Sequence, residues 1–408
     1  MMRRRTHVCL TLLTGLLLSF SFYVRPAFAS TVETNPLNLD PKVREAFDCF
    51  YIMDYKCSIS RFEAIRSEHP NNPIATDYLL YAIVFKELFR LDQLDTTFYA
   101  TDGFLTGKHA VVEDPQIRGQ INGLTDQAVD AANRQLRTNP NDVNALFARA
   151  SAKSIQATYQ AMVERAFVSA MRLATQARSD DERVLQLNPN YVDAKLVTGI
   201  YEYVVGALPI AFKIFAGFAG IHGSKATGME MLRDAGARGV ITSVEARVSM
   251  MLFLRREAKY QEAEQIAEGL VAEYPRNFLF RLEIANLQKD EGAGLKAIAS
   301  YREVIELSKK PGYFEASILE LVYFGLGDTL RGQRLYFDAV EAYNHAAYMP
   351  TTSPELKRRS LLAAGEVYDL MRDHGNARQR YQAVIDAGSD TAQADQARKF
   401  MRTAYAGR

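Results

Sequence analysis

Apolar residues recur at helical spacing from Pro41 to Tyr405, and no convincing run alternates between apolar and polar as a half-buried strand would. The pattern predicts an all-α chain. Pro70, Pro140, Pro189, Pro275, Pro311 and Pro350 each follow an amphipathic helix. Several stand beside turn formers, as in Asn71-Asn72, Asn139-Pro140-Asn141-Asp142 and Asn188-Pro189-Asn190. The last two intervals, 36 and 39 residues, are close to one repeating unit each. The earlier ones are longer and imply long helices, degenerate units or insertions. By this reading the first hairpin covers 42–70, and a helix over 74–91 leads into an irregular stretch, 92–123. Long helices follow over 142–187, and a fourth unit begins at Tyr191.

Between Tyr323 and Pro350 the chain reads Tyr323-x2-Leu326-Gly327, then Ala339-x3-Tyr343 and a closing Pro350. Related spacing recurs at 243–275 (Ala263-x3-Ala267-x2-Leu270), 278–311 (Ala297-x3-Tyr301-x2-Val304) and 361–388 (Ala364-Gly365, then Ala377-x3-Tyr381-x2-Val384). This grammar resembles the tetratricopeptide repeat, a hairpin of two helices about 34 residues long. The resemblance implies a right-handed α-solenoid of about eight antiparallel hairpins with a C-terminal capping helix. Such arrays hold other proteins and carry no chemistry of their own. The layout expected is a linker at 30–41, divergent repeats over 42–240 with insertions at 92–123 and 206–223, regular repeats over 241–388, and a cap and tail at 389–408. Within a hairpin, Gly or Ala on the first helix is expected to meet Ala or Gly on the second, allowing close approach.

The first 29 residues change the picture of where the chain acts. Arg3-Arg4-Arg5, an apolar run over 8–24 and Ala27-Phe28-Ala29 before Ser30 have the three parts of a secretory signal, with cleavage expected after Ala29. An uncleaved anchor is the alternative, because the run nearly spans a bilayer. The expectation is an exported protein, periplasmic or attached to the outer membrane. Charge is nearly balanced, with 49 basic and 48 acidic side chains, so nothing points to a nucleic acid partner. Cys49 and Cys57 remain after cleavage and fall on the two helices of one hairpin. Either they form a disulfide, which export permits, or they pack as two small apolar residues.

Inside the fourth unit, Gly199-Ile200-Tyr201 precedes Gly206-Ala207-Leu208-Pro209, an apolar stretch to Gly220, and Lys225-Ala226-Thr227-Gly228-Met229. This is similar to the tetratricopeptide repeat protein 39 family, whose members resemble adaptors rather than enzymes. It departs from that family's usual acidic-basic pair, having Ser224 and Lys225 instead. Phe212, Phe215 and Phe218 crowd the insert, which Pro209, Gly217 and Gly220 interrupt. It is too short and broken to span a membrane. It either contacts a membrane or partner as a hydrophobic finger, or tucks into the solenoid's own groove.

Candidate chemistry is sparse. Gly223-Ser224-Lys225-Ala226-Thr227 lacks the Gly-Lys-Ser/Thr order and the preceding strand of a phosphate loop. The six histidines are scattered, no Gly-x-Ser-x-Gly elbow occurs, and no metal or cofactor is expected. Asp92, Asp95, Asp102, Glu113 and Asp114 in 92–123 do not fit a calcium loop; the stretch is long enough to be a functional loop, and packing across one end of the groove is the more ordinary role. In tetratricopeptide arrays the first helix of each hairpin lines the concave face. There, Arg255, Asn286, Lys289, Asp328, Arg331, Glu366 and Asp369 are the expected contacts for a protein or peptide partner. Asn286 and Lys289, three apart, share a helical face suited to a peptide backbone and a carboxylate.

Overall fold

The computed structural model describes residues 33–99, 113–208 and 222–407, and among these 17 α-helices follow one another with no strand. Hairpins form from α1 (Pro41–Tyr51) with α2 (Tyr55–Glu68), α3 (Pro73–Arg90) with α4 (Pro115–Thr138), α5 (Val143–Tyr159) with α6 (Phe167–Leu187), and α7 (Lys195–Ala207) with α8 (Lys225–Arg238). The second set pairs α9 (Ser243–Arg256) with α10 (Tyr260–Glu273), α11 (Phe278–Asp290) with α12 (Gly294–Ser308), α13 (Leu319–Gly332) with α14 (Tyr336–Tyr348), and α15 (Pro354–Leu370) with α16 (His374–Asp386). Helix α17 (Ala392–Arg402) packs on α15 and α16 and ends the array. The described residues thus form an α-solenoid of eight helical hairpins with a capping helix.

Local chemistry sets the helix ends. Side chains of Asp40, Asn72, Asp114 and Ser353 accept first-turn N–H groups, and Pro41, Pro73, Pro115 and Pro354 follow at the first helical position. Two boundaries therefore differ from expectation. The Asp114-Pro115 start places Gly119 and Gly123 inside α4 rather than in a loop, and the Ser353-Pro354 start extends α15 back from Leu361. Glycine inside a helix costs roughly 1 kcal/mol, which a capped 24-residue helix absorbs.

The two helices of a hairpin are joined in one recurring way. In hairpins 1, 5, 6, 7 and 8 a single left-handed residue (Met53, Ala258, Gly292, Arg334, Arg372) ends the first helix. The next N–H then returns to a carbonyl five residues back, as Lys259 does to Leu254 and Leu335 to Leu330. Helix α3 ends identically, with left-handed Asp92 and the Gln93 N–H on Leu88 O at 2.8 Å. There the chain turns through residues 91–94 into the 3-10 turn Thr96–Tyr99, which meets the inner face.

Close helix approach uses two solutions. In hairpin 4, Gly199 and Gly228 face each other, and a Cβ added to Gly228 would sit 2.6 Å from Gly199 O. In hairpins 7 and 8 the expected small-on-small contact is replaced by glycine under a ring. A Cβ on Gly327 would meet Tyr343 at 2.7 Å, and one on Gly365 would meet Tyr381 at 2.5 Å. Both tyrosines are fully buried, and each donates its hydroxyl back to the glycine's own helix, Tyr343 to Asp328 at 2.6 Å and Tyr381 to Asp369 at 2.8 Å.

The array curls until its first hairpins reach the fifth and sixth. Tyr51 and Tyr81 donate to the same Glu245 oxygen at 2.5 and 2.7 Å, Asn277 Nδ2 donates to Tyr51 O at 2.6 Å, and the Tyr51 and Tyr274 rings lie 4.8 Å apart. One apolar cluster consequently runs from Leu37 to Val367. The region expected as a linker is docked from residue 33. Thr34 donates to Asp193, the Asn35 N–H bonds Tyr191 Oη, and Pro36–Leu39 forms a 3-10 turn that buries Leu37. Asp193 also accepts from the Val240, Ile241 and Thr242 amides, fixing the turn into α9. Cys49 and Cys57 are joined as a disulfide between α1 and α2.

Candidate functional site

First helices α9, α11, α13 and α15 present the inner face of the last four hairpins, and residues 92–99 lie across all of them. The contacts are polar and specific. Thr96 Oγ1 donates to Glu283 Oε2 on α11 and accepts from Arg255 Nη1 on α9 at 2.6 Å. Arg256 Nη1 donates to Tyr99 O at 2.6 Å. Asp95 is buried and accepts the Thr97 N–H at 2.9 Å, which starts the 3-10 turn Thr96–Tyr99. At the other end Asp92 lies near Ser353, the N-cap of α15. Leu91 and Leu94 pack on the apolar core.

A cavity of about 170 Å³ opens beside this segment. Asp95 and Thr97 form one wall, and Asn286, Lys289, Asp328 and Arg359 are among the residues opposite. Electrostatics here are those of a partly dry site. Burial pushes Asp92 up to about 6, with Glu320, Asp95 and Glu355 adding to the effect and Ser353 opposing it. Burial likewise raises Glu283, against the pull of Arg255 and Thr96. For Arg255 burial alone would favour the neutral form, but Glu283 and Asp290 outweigh it and the guanidinium is held above its ordinary value. Its Nη2 reaches Asp290 at 2.5 Å.

The residues expected to meet a partner separate into three sets. Asn286, Lys289 and Asp328 converge on the cavity. Arg255, expected to be exposed, is instead buried within the ion-pair network that grips Thr96. Asn286 and Asp369 are also buried, because each accepts a hydroxyl from a buried tyrosine, Tyr301 at 2.6 Å and Tyr381 at 2.8 Å. Asp369 further accepts the Tyr405 N–H and His374 Nδ1, both at 2.8 Å. Arg331 and Glu366 pair at 2.7 Å, and Arg331 donates to Tyr405 Oη, so both serve the junction with the C-terminal tail. Sequence reasoning missed Thr96, Thr97, Arg256, Glu283 and Arg359. It did single out Asp92 and Asp95, and the stretch they belong to, but placed it at one end of the groove rather than along four hairpins.

Phe212, Phe215 and Phe218 lie outside the described residues. The flanks of that insert are pinched together, since a Cβ on Gly206 would sit 2.6 Å from Lys225 N and one on Gly223 2.7 Å from Glu202 O. Among the described residues no helix is long and apolar enough to cross a membrane, and no cluster of three or more metal-ligating side chains occurs.

No protein-family model and no curated protein matches the sequence. Several solved structures are similar to it. A chain of the APC/C hetero-tetramer Cut9–Hcn1 is 13% identical with a TM-score of 0.48, over 90% of this chain and 57% of that one. Yeast Tom70 is 12% identical with a TM-score of 0.42, over 90% and 89% of the two chains. A tetratricopeptide repeat protein from Parabacteroides merdae is 16% identical with a TM-score of 0.35, over 79% and 97%.

Proposed function

We propose that this chain is an exported, non-catalytic scaffold that binds a protein or peptide partner on the inner face of its last four hairpins. The observation that carries the reading is the stretch 92–99, whose Thr96–Tyr99 turn is held on the inner face by Arg255 and Arg256 of α9 and Glu283 of α11. A rigid array of hairpins holds its contact groups at fixed spacing, which limits the ordering entropy lost when a peptide docks. The basic, apolar and Ala-Phe-Ala segments of residues 1–29 support export to the cell envelope.

The test is cross-linking mass spectrometry on the chain from Ser30, incubated with envelope extract, beside a Lys289→Glu variant. Cross-links from a protein partner to α11, α13 and α15, weakened in the variant, are expected. A partner linked only to the convex helices, or no protein partner at all, would contradict the reading.

A further inference from the structure

The first hairpin differs from its counterparts in one covalent bond. Its two helices are joined through left-handed Met53, and the disulfide links Cys49 and Cys57, placed symmetrically before and after that residue. Hairpins 5 to 8 turn in the same way, with Leu254 and Glu262, Gln288 and Lys296, Leu330 and Asp338, and Tyr368 and Asn376 at the equivalent positions. Those turns close through backbone hydrogen bonds without a cross-link. The first has the same closure, since the Asp54 N–H returns to Cys49 O at 2.9 Å and the Asp54 side chain accepts the Cys57 N–H at 2.9 Å. The turn therefore does not require the disulfide.

The ring that the bond closes contains the tip that closes the superhelix. Between the cysteines, Phe50, Tyr51, Met53 and Tyr55 are all buried. Tyr51 spans to the far side of the array, with its hydroxyl on Glu245, its carbonyl under Asn277 Nδ2 and its ring against Tyr274. Phe50 packs on Tyr81 and Phe85, and Tyr55 on Phe89, all of α3. Fixing both ends of so short a ring narrows what the tip can adopt when undocked, which lowers the entropy lost when it docks. Cys49 and Cys57 are themselves only half-buried and lie beside exposed Asp48 and Lys56, so an attacking thiolate can reach the bond.

We propose that the Cys49–Cys57 bond is a redox lock on superhelix closure. The disulfide chain holds the tip of hairpin 1 against residues 245–277, and the dithiol chain keeps hairpin 1 folded but loosens that contact. In the reducing direction a dithiol attacks, the S–S bond breaks, both sulfurs become thiols by taking up two electrons and two protons, and the dithiol leaves as a disulfide. A disulfide oxidant runs the same exchange in reverse. On the export reading above, the chain is made reduced and meets oxidant only after export, so closure follows arrival. The lock sets the shape of the array that a partner meets and is independent of which partner that is.

The test is hydrogen–deuterium exchange read by mass spectrometry on the full chain from Ser30, oxidised and after treatment with dithiothreitol. Amides of residues 50–56, 243–256 and 274–281 should exchange about tenfold faster in the reduced chain, while those of 354–386 should not change. The two distant segments carry the test, because a cross-link that only stabilised its own hairpin would leave them as they were. Cys49→Ser/Cys57→Ser should exchange like the reduced chain and ignore dithiothreitol, and if this variant does not fold the reduced unaltered chain decides. Unchanged exchange at 243–256 and 274–281, or an equal rise throughout the chain, overturns the proposal. A bond that dithiothreitol fails to reduce in the folded protein overturns it as well.

Discussion

The first and last four hairpins share an architecture and differ in what faces inward. In the N-terminal half the inner helices carry Phe47, Phe50, Tyr51, Tyr81 and Phe85, whose rings pack against one another in stacked, tilted and edge-on pairs, and Tyr51 reaches Tyr274 of the fifth hairpin. In the C-terminal half they carry Arg255, Glu283, Lys289, Asp328 and Glu366. Burial of these rings draws the first two hairpins onto the fifth and makes them the wall of the superhelix. Polar inner faces gain little by collapse and remain available to an extended segment that satisfies them. The same hairpin therefore serves as structure or as reader according to the residues on one side of its first helix.

The largest expected effect falls on the closed half. Tyr51→Ala removes a buried ring and its hydroxyl's bond to Glu245 across the superhelix, and should cost about 3–5 kcal/mol by chemical denaturation. A loss below 1 kcal/mol would show that the halves do not clasp through this residue. Gly365→Leu tests the regular half, where the added side chain runs into the Tyr381 ring. It should destabilise by about 1–3 kcal/mol, and an unchanged melting temperature would refute the packing described for hairpin 8.

Asp181 sharpens the contrast with the opposite sign. It is wholly buried in α6, neither carboxyl oxygen accepts a hydrogen bond from the protein, and burial, with Asp180 and Asp193 adding, pushes it well above the ordinary carboxylate range. Its folded pKa exceeds its unfolded one, so its contribution is most favourable in acid and is lost as pH rises through the unfolded and then the folded value. Asp181→Asn should therefore stabilise the protein at pH 7, by about 1–2 kcal/mol, and leave it little changed near pH 4. Destabilisation at pH 7 would mean that the ionised carboxylate has a partner. The smallest effect belongs to Asp92, raised to about 6 and faced by Glu320 on α13, Glu355 on α15 and Asp95 in its own segment. Stability held below pH 4 should fall as pH rises through 6, by about 1 kcal/mol after solvent screening, and Asp92→Asn should abolish that fall. A variant that keeps the full pH profile between 4 and 7 would assign it elsewhere.

Much of the regular half was legible in the sequence because its signals are local. Leu326-Gly327 and Ala364-Gly365 mark the seats of Tyr343 and Tyr381, which stand 16 residues further on in each case. Helix starts were harder. Gly119 and Gly123 read as loop because the cap that outweighs them, Asp114-Pro115, sits upstream of both. The closure of the superhelix had no local signature, since Tyr51 and Glu245 are 194 residues apart and neither pattern nor spacing connects them. The candidate site was half legible for the same reason. Helical register put Asn286, Lys289 and Asp328 on one face, but the segment that meets them comes from hairpin 2, and the hydroxyl of Thr96 is an ordinary loop residue until Arg255 and Glu283 surround it.

The most direct measurement is a double-mutant cycle between Thr96→Val and Glu283→Gln on the chain from Ser30, read by urea denaturation. The account predicts a coupling of at least about 0.5 kcal/mol, as for any two groups in direct hydrogen bond. Additive effects within error would mean that residues 92–99 do not lie on the inner face, and the recognition groove would lose its occupant and its argument.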